Sequence, residues 1–385
     1  MATSPEQTTG RLLSLDVFRG ATIAGMMLVN NPGDWGYVYA PFRHAAWNGW
    51  TYTDTIFPFF LWIVGVAMTF SFAKRMERGD DRKKLALHVF QRSAIIFLIG
   101  LLLNGIPFGL VFGHQFSFST MRIPGVLQRI ALCYLVTGLI VLNTDWKTQG
   151  WITAGILAFY WLALAFIPIP GYGAGVLEPT GNLCWYLDSN LLSGHTWSGA
   201  PVPGFDPEGM FSTLPAIGTT LFGVLTGHLL RSEKGREEKL IRMFVYGNIL
   251  LLAGILIDNW LPINKNLWTS SYAIFMAGLA LNVLGVLYWI IDVRKKQRWS
   301  QPFAIYGLNA ITVFFLAGLF GRMSWIVKLT NEFGENITLK TWYYQTLFSH
   351  LGSPIVASFT HSLFYVLLLY AIAFVMYKRR WIIKV

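Results

Sequence analysis

The spacing of its charges constrains this chain more than any other feature. Long apolar runs alternate with short basic clusters along almost its whole length. A helix that crosses a bilayer needs roughly 20 mostly apolar residues, because the hydrocarbon interior offers no water to solvate a charge or a bare peptide group. Only 13% of the 385 residues are charged and 54% are hydrophobic, whereas a soluble domain carries roughly 25% charged residues. The expected architecture is all-α: one polytopic membrane domain over 1–385 with about ten spans, each near the length a bilayer requires. The runs place helices near 13–31, 53–73, 87–105, 122–143, 149–168, 211–231, 239–258, 267–291, 301–321 and 356–377.

Charge also orients them. Basic clusters occupy 74–92, Lys147, 231–242, 294–298 and 378–384, whereas 105–121 and 169–210 contain no Lys or Arg. Positive charge is retained on the cytoplasmic side, so both termini are expected inside. The outer segments are then 32–52, 105–121, a large loop at 169–210, 259–266 and 322–355. The first ten residues lack a cleavable leader, and the run from Leu13 reads as an uncleaved anchor. The net charge of +11 sits at the ends of apolar runs, which fits contact with membrane lipids and not nucleic acid. Cys133 and Cys184 form neither a disulfide framework nor a metal spacing, so no metal is expected. The stretch 339–351 is amphipathic and reads as an interfacial or re-entrant helix, and Asn336-Ile337-Thr338 matches a glycosylation triplet. With no P-loop, dinucleotide fingerprint, HExxH or GxSxG, the sequence gives ATP-driven transport, redox chemistry and zinc hydrolysis no footing.

Polar groups inside a membrane domain ask for a reason, since a charge at mid-bilayer costs about 3 kcal/mol on insertion scales. Asp16 and Arg19 share one face at the start of the first helix, either as a self-neutralising pair or as the floor of a ligand cavity. Asn30 and Asn31 close that helix on the outer side, where asparagine commonly caps. The segment 41–58, PFRHAAWNGWTYTDTIFP, gathers His44, Asn48 and Asp54 around Trp47 and Trp50. Imidazole is the natural general base near neutral pH; His114 and His195 are its rivals on the outer face. His88 and His228 lie at the cytoplasmic edge, and His350 and His361 at the outer end of the last hairpin. The segment 122–129, RIPGVLQR, opens the fourth helix and carries Arg129 about two turns inward, toward a structural or a ligand role. Asp206 and Glu208 precede the sixth run, where the helix dipole favours acids. Asn264, Lys265, Asn266 and Trp268 lie in a short outer loop that either braces the structure or clamps an anion or sugar. Gly223 and Gly227 form a GxxxG suited to close helix packing.

In order along the chain, LLSLDVFRGATIAGMMLVN, RHAAWNGWTYTDTIFPFFLWIVG, RIPGVLQRI, FDPEGMFSTLPAIGTTLFGVLTG and PINKNLW resemble the heparan-α-glucosaminide N-acetyltransferase family. These are transmembrane acetyltransferases of lysosomes with bacterial relatives called NagX; the short N-terminus fits the bacterial form and an inner membrane. The resemblance implies transfer of an acetyl group from cytoplasmic acetyl-CoA, the co-substrate, to the amine of a terminal glucosamine on the far side. It places the essential histidine on His44 and the catalytic asparagine on Asn30. The loop between them is a few residues longer here, and 169–210 departs from the lysosomal pattern, which leaves the acceptor sugar open.

His44 then acts either as a general base on the amine or as an acetyl acceptor, with Asp54 available to orient it if the second helix brings the two together. Asn30 would donate to the developing oxyanion. Arg19, Arg122, Arg129 and the cytoplasmic lysines are the candidates to pair with the CoA phosphates. A homodimer is compatible with the sequence. The competing reading is an amino-sugar transporter without acetyl transfer.

Overall fold

The computed structural model describes residues 12–110, 116–331 and 334–383; the expectation for His114 lies outside them. The chain runs α1 (Leu13–Asn30), α2 (Tyr52–Glu77), α3 (Arg82–Gly105), α4 (Val126–Asn143), α5 (Trp146–Phe166), α6 (Leu183–Leu191), α7 (Thr213–Arg231), α8 (Arg236–Asp258), α9 (Ser270–Tyr288), α10 (Gln301–Leu308) and α11 (Ala310–Ile326). A two-stranded antiparallel hairpin, β1 (Lys328–Thr330) and β2 (Asn336–Thr338), leads into α12 (Leu339–Leu347) and α13 (Pro354–Lys378). Every expected apolar run is helical, and the protein is an all-α, multi-pass membrane bundle.

Local chemistry sets the boundaries. Asp81 accepts a hydrogen bond from the Lys84 amide at 2.8 Å to start α3, and Asp145 does the same for the Thr148 amide at 3.0 Å in α5. The fourth helix starts at Val126 and not at 122. Pro124 disfavours helical backbone at the residue before it, so Arg122 stands in an extended lead-in. The run at 301–321 is broken as well: α10 and α11 meet at a 70° bend. The hinge is Asn309, whose carboxamide donates to Trp381 O and accepts from Ile383 N, both at 3.0 Å.

Among the described helices, eight are long and apolar enough to cross a membrane, and nine if the bent pair counts as one span. The first expected span falls outside this set, because Asp16, Arg19 and Asn30 dilute the 18 residues of α1. α1 instead packs inside the bundle against α2, α9, α10 and α13. The periphery is apolar: large side chains such as Leu98, Trp151 and Leu252 are exposed on α3, α5 and α8, as lipid-facing surfaces require.

One of the tightest helix contacts joins α2 to α7. A Cβ on Gly223 would lie 2.0 Å from the Trp62 carbonyl, and one on Gly65 would lie 2.0 Å from the Thr220 carbonyl. The GxxxG motif is thus a backbone contact, with Gly227 closing on Thr69. Gly223→Val is expected to lower the thermal midpoint in detergent, since overpacking costs about 1–3 kcal/mol or more where backbone must move. Gly155→Ala, on α5 where an added Cβ meets nothing within 4 Å, should leave the midpoint unchanged or raise it. Equal melting of the two variants would contradict this packing.

The segment 169–210 is not featureless loop: it holds α6, and both Cys133 and Cys184 are buried as free thiols. The stretch 339–351 contains α12, in keeping with the short helix expected there. The glycosylation triplet forms β2.

Candidate functional site

α2 begins with a capping box. Thr51 caps the helix, and Asp54 at its third position accepts from the Thr51 amide at 3.0 Å and hydroxyl at 3.1 Å. The same carboxylate accepts from the Ala45 amide at 3.0 Å and pairs with His44 Nδ1 at 2.5 Å. An ionised carboxylate can only accept, so Nδ1 carries a proton, and in the neutral ring Nε2 is the nitrogen with the free lone pair. The Asp54 side chain is 1% exposed and that of His44 is 48% exposed. A buried acid therefore fixes the tautomer of an imidazole whose other edge is open. This is the carboxylate partner that linear order alone leaves undecided.

Two motifs far apart in the chain hold this loop in place. The Gly49 amide donates to the Ile263 carbonyl at 2.7 Å, and Asn264 Nδ2 donates to Asn48 Oδ1 at 3.1 Å. Gly49 sits at φ +89°, where a side chain would be strained. Asn264 Oδ1 accepts from the Leu267 amide at 2.8 Å, and Trp268, at φ +50°, donates its indole N–H to Thr219 at 3.1 Å. The Tyr272 hydroxyl donates to the Asp54 carbonyl at 2.5 Å. Trp47 anchors the opposite side, donating to the Leu177 carbonyl at 2.9 Å and packing on Phe205.

Beside this frame lies a cluster of charges. Arg122 binds Asp206 through both Nε (2.8 Å) and Nη2 (2.6 Å), and reaches Glu208 at 2.6 Å. Burial alone would raise the Glu208 carboxyl, but the charges of Arg122, Lys265 and Arg129 outweigh it and hold it below its ordinary value. Arg129 is 1% exposed. Its guanidinium stacks 5.2 Å from the Trp268 ring and donates to the Gly209 carbonyl at 3.1 Å and to Ser212. Its Nε and Nη1 have no partner among the described residues. Asp188 Oδ2, across Gly209, is buried and similarly unpartnered.

Burial, with Asp206 adding to it, pushes the Asp188 carboxyl up to about 7. A raised acid opposes folding once the unfolded chain ionises. The cost is absent below the ordinary value of 3.8, grows as pH rises and is complete above about 7. Wild-type stability is therefore expected to fall between about pH 4 and 7 relative to Asp188→Asn, as read from paired melting curves. Parallel curves would remove Asp188 from this account.

The structure gathers His44, Asn48, Asp54 and Asn264 into one hydrogen-bonded frame, with Trp268 and Arg129 stacked beside it. Lys265 is half-buried and charges both Asp54 and Glu208 electrostatically; Asn266 is its half-buried neighbour. Asn30 ends α1 with an exposed residue. A Cβ on Gly25 would lie 2.5 Å from Tyr52 Oη, so the start of α2, with His44 tied to it, stands beside the last two turns of α1.

Asp16 and Arg19 pair at 3.3 Å about 15–20 Å farther down that helix. They are not part of this cluster. Among the rival histidines, His195 Nδ1 is bound to the Met121 carbonyl at 2.8 Å. His361 is 1% exposed, with its two nitrogens on the Asn31 carbonyl and the Tyr343 hydroxyl, each at 3.1 Å. Sequence reasoning passes over Asp188, Tyr272 and Thr219. A lone acid in a loop, or a hydroxyl in an apolar run, shows no pattern until the helices assemble.

A model of the family "Heparan-alpha-glucosaminide N-acetyltransferase, catalytic" matches residues 11–255, which include α1 to most of α8 and both ends of the His44–Asp54 bond. The chain is 29% identical to heparan-alpha-glucosaminide N-acetyltransferase of Homo sapiens over 382 residues, covering 85% of this chain and 56% of that protein. Against its Mus musculus counterpart it is 29% identical over 358 residues, covering 80% and 53%. The chain thus spans a little over half the length of these relatives. With the family's catalytic region matched over more than half of its residues, this chain belongs to the heparan-α-glucosaminide N-acetyltransferase family.

Proposed function

We propose that this protein is a transmembrane N-acetyltransferase that moves an acetyl group from cytoplasmic acetyl-CoA to the amine of a glucosamine-type sugar on the outer side. The observation that carries the reading is the 2.5 Å bond from His44 Nδ1 to the buried Asp54. It leaves Nε2 as an outward-facing base whose protonated form a carboxylate stabilises.

A glucosamine ammonium must lose a proton before its nitrogen can attack a thioester. In direct transfer the ammonium first gives up one proton to water, and Nε2 takes a second from the neutral amine as the C–N bond forms at the acetyl carbonyl. Asn30 donates its amide N–H to the oxyanion, a contribution of about 3 kcal/mol. The tetrahedral intermediate then expels CoA thiolate, which receives the proton from the imidazolium. In the two-step variant, Nε2 itself takes the acetyl group from the thioester, expelling CoA thiolate, and then passes it to the neutral amine, whose surplus proton goes to the regenerated imidazole. Both need the tautomer that Asp54 imposes. The cationic cluster of Arg122, Arg129 and Lys265 would meet anionic or hydroxyl-rich parts of the substrates. The basic clusters favour an orientation with both termini cytoplasmic under the positive-inside rule, and a bacterial inner membrane is the proposed location.

The deciding assay is purified protein with acetyl-labelled CoA, with and without glucosamine. Labelled N-acetylglucosamine supports the proposal, and label held on the protein when sugar is omitted selects the two-step route. Amino-sugar flux into proteoliposomes without acetyl-CoA, and no labelled product, would support the carrier instead.

A further inference from the structure

An apolar groove of about 340 Å³ opens on the side of the bundle between α5 and α8, floored by α7 and α9. Small residues on α5 create it: Gly150, Ala154 and Ala158 recur every fourth position along the groove. An added Cβ on Gly150 would meet nothing within 4 Å. The opposite wall is Leu250 and Ile257 of α8. Only two hydroxyls reach the lining, and neither offers a handle to a ligand. Thr153 donates to the Gln149 carbonyl and Ser270 to the Leu157 carbonyl, both at 2.8 Å. A sugar or nucleotide would leave its own polar groups unsatisfied here, so the occupant is hydrocarbon.

Its dimensions narrow the choice. From Gly150 to Trp161 the groove follows α5 for about 16 Å at 1.5 Å per residue. A volume of 340 Å³ over that length gives a cross-section of about 20 Å². A helix of about 10 Å diameter would need about 80 Å². One extended acyl chain fits along it, whereas a helix is too wide to enter and would only rest across its open mouth. Next to Gly150, a hydrogen bond of 2.9 Å joins Gln149 of α5 to His228 of α7. One turn further, Lys147 stands exposed 5.8 Å from the Trp146 ring, and Arg231 ends α7. Neither cation has a carboxylate partner among the described residues. The neighbouring Asp145 is turned onto the Thr148 amide and hydroxyl. Tails alone gain little over bulk lipid, so retention depends on the headgroup meeting these cations.

We propose that this groove holds one acyl chain of an anionic phospholipid whose phosphate is bound at Lys147 and Arg231. The full chain, purified in mild detergent, is expected to carry a phospholipid mass in native mass spectrometry. After delipidation, phosphatidylglycerol should raise its melting temperature more than phosphatidylcholine does. Ala158→Phe, which fills the groove, should lose both the retained lipid and the shift; Ala154→Leu is the milder second variant if the first does not fold. Lys147→Gln with Arg231→Gln should keep the fold but erase the preference for the anionic lipid. The proposal is overturned if groove-filled protein of native helicity keeps its lipid and its shift, or if the two lipids act equally on the wild type. It also fails if Ala158→Phe turns a dimer into a monomer with lipid content unchanged, which would make the face a contact between copies.

Discussion

His44→Ala is expected to lower acetyl transfer to glucosamine by about 10²–10⁴-fold, the range contributed by a positioned general base. Loss of a true nucleophile would place it at or beyond the upper end. The melting temperature should barely move. The imidazole is about half exposed, and without it Asp54 still accepts from the Ala45 amide and from the amide and hydroxyl of Thr51. Asp54→Asn separates orientation from proton transfer: the side chain can still accept from Nδ1–H but no longer compels that tautomer or stabilises an imidazolium. Its loss should fall mainly on kcat, with KM for the sugar little changed. Wild-type turnover in His44→Ala would sink the assignment, whatever becomes of Asp54.

The largest effect on stability is expected from Arg122→Ala. It strips the guanidinium from Asp206, which is fully buried, and from Glu208. Breaking a buried ion pair by deleting one partner costs about 3–5 kcal/mol, because the remaining charge is left uncompensated. Asp206 keeps the Trp197 and Glu208 amides, both at 2.9 Å, so the outer segment should loosen before the helices do. Faster proteolysis within 169–210 and a lower melting temperature are the expected readouts. Arg122→Lys should recover only part of the loss, since an ammonium cannot make the two-pronged contact to Asp206.

The sign with pH is fixed as well. Glu208 is held below its ordinary value of 4.5 in the folded protein, so its contribution is present above that value and is lost as pH falls through the depressed one. The gap between wild type and Arg122→Ala should therefore narrow in acid. An Arg122→Ala protein that melts and resists protease like the wild type would refute the ion-pair account.

Much of the fold was readable because bilayer physics writes it locally. A spanning helix satisfies its own backbone, so each apolar run declares its helix without reference to partners. The exceptions have specific causes. Pro124 and Gly125 delay α4, and Asn309 breaks the ninth run because its side chain bonds the C-terminal tail, a contact invisible from residue 309 itself. The hairpin and α6 were unannounced because short polar segments take their structure from what they dock against. In the candidate site, His44, Asn48, Asp54, Asn264 and Trp268 could be named from the sequence by their polar character at helix ends and by the family resemblance. Their connection could not. Asp188, Tyr272 and Thr219 join the network only through groups far away along the chain.

The sequence by itself determined the class of protein: the alternation of apolar runs and basic clusters permits little but a helical membrane bundle. Only the tertiary structure decided what the polar residues do. Capping α2 requires an acid near its third position, and folding the 41–51 loop back onto that acid is what sets His44 against it. The loop holds that position because Asn48 and Gly49 are tied to residues 263 and 264. Long-range hydrogen bonds of this kind depend on how helices pack, and no local pattern encodes them.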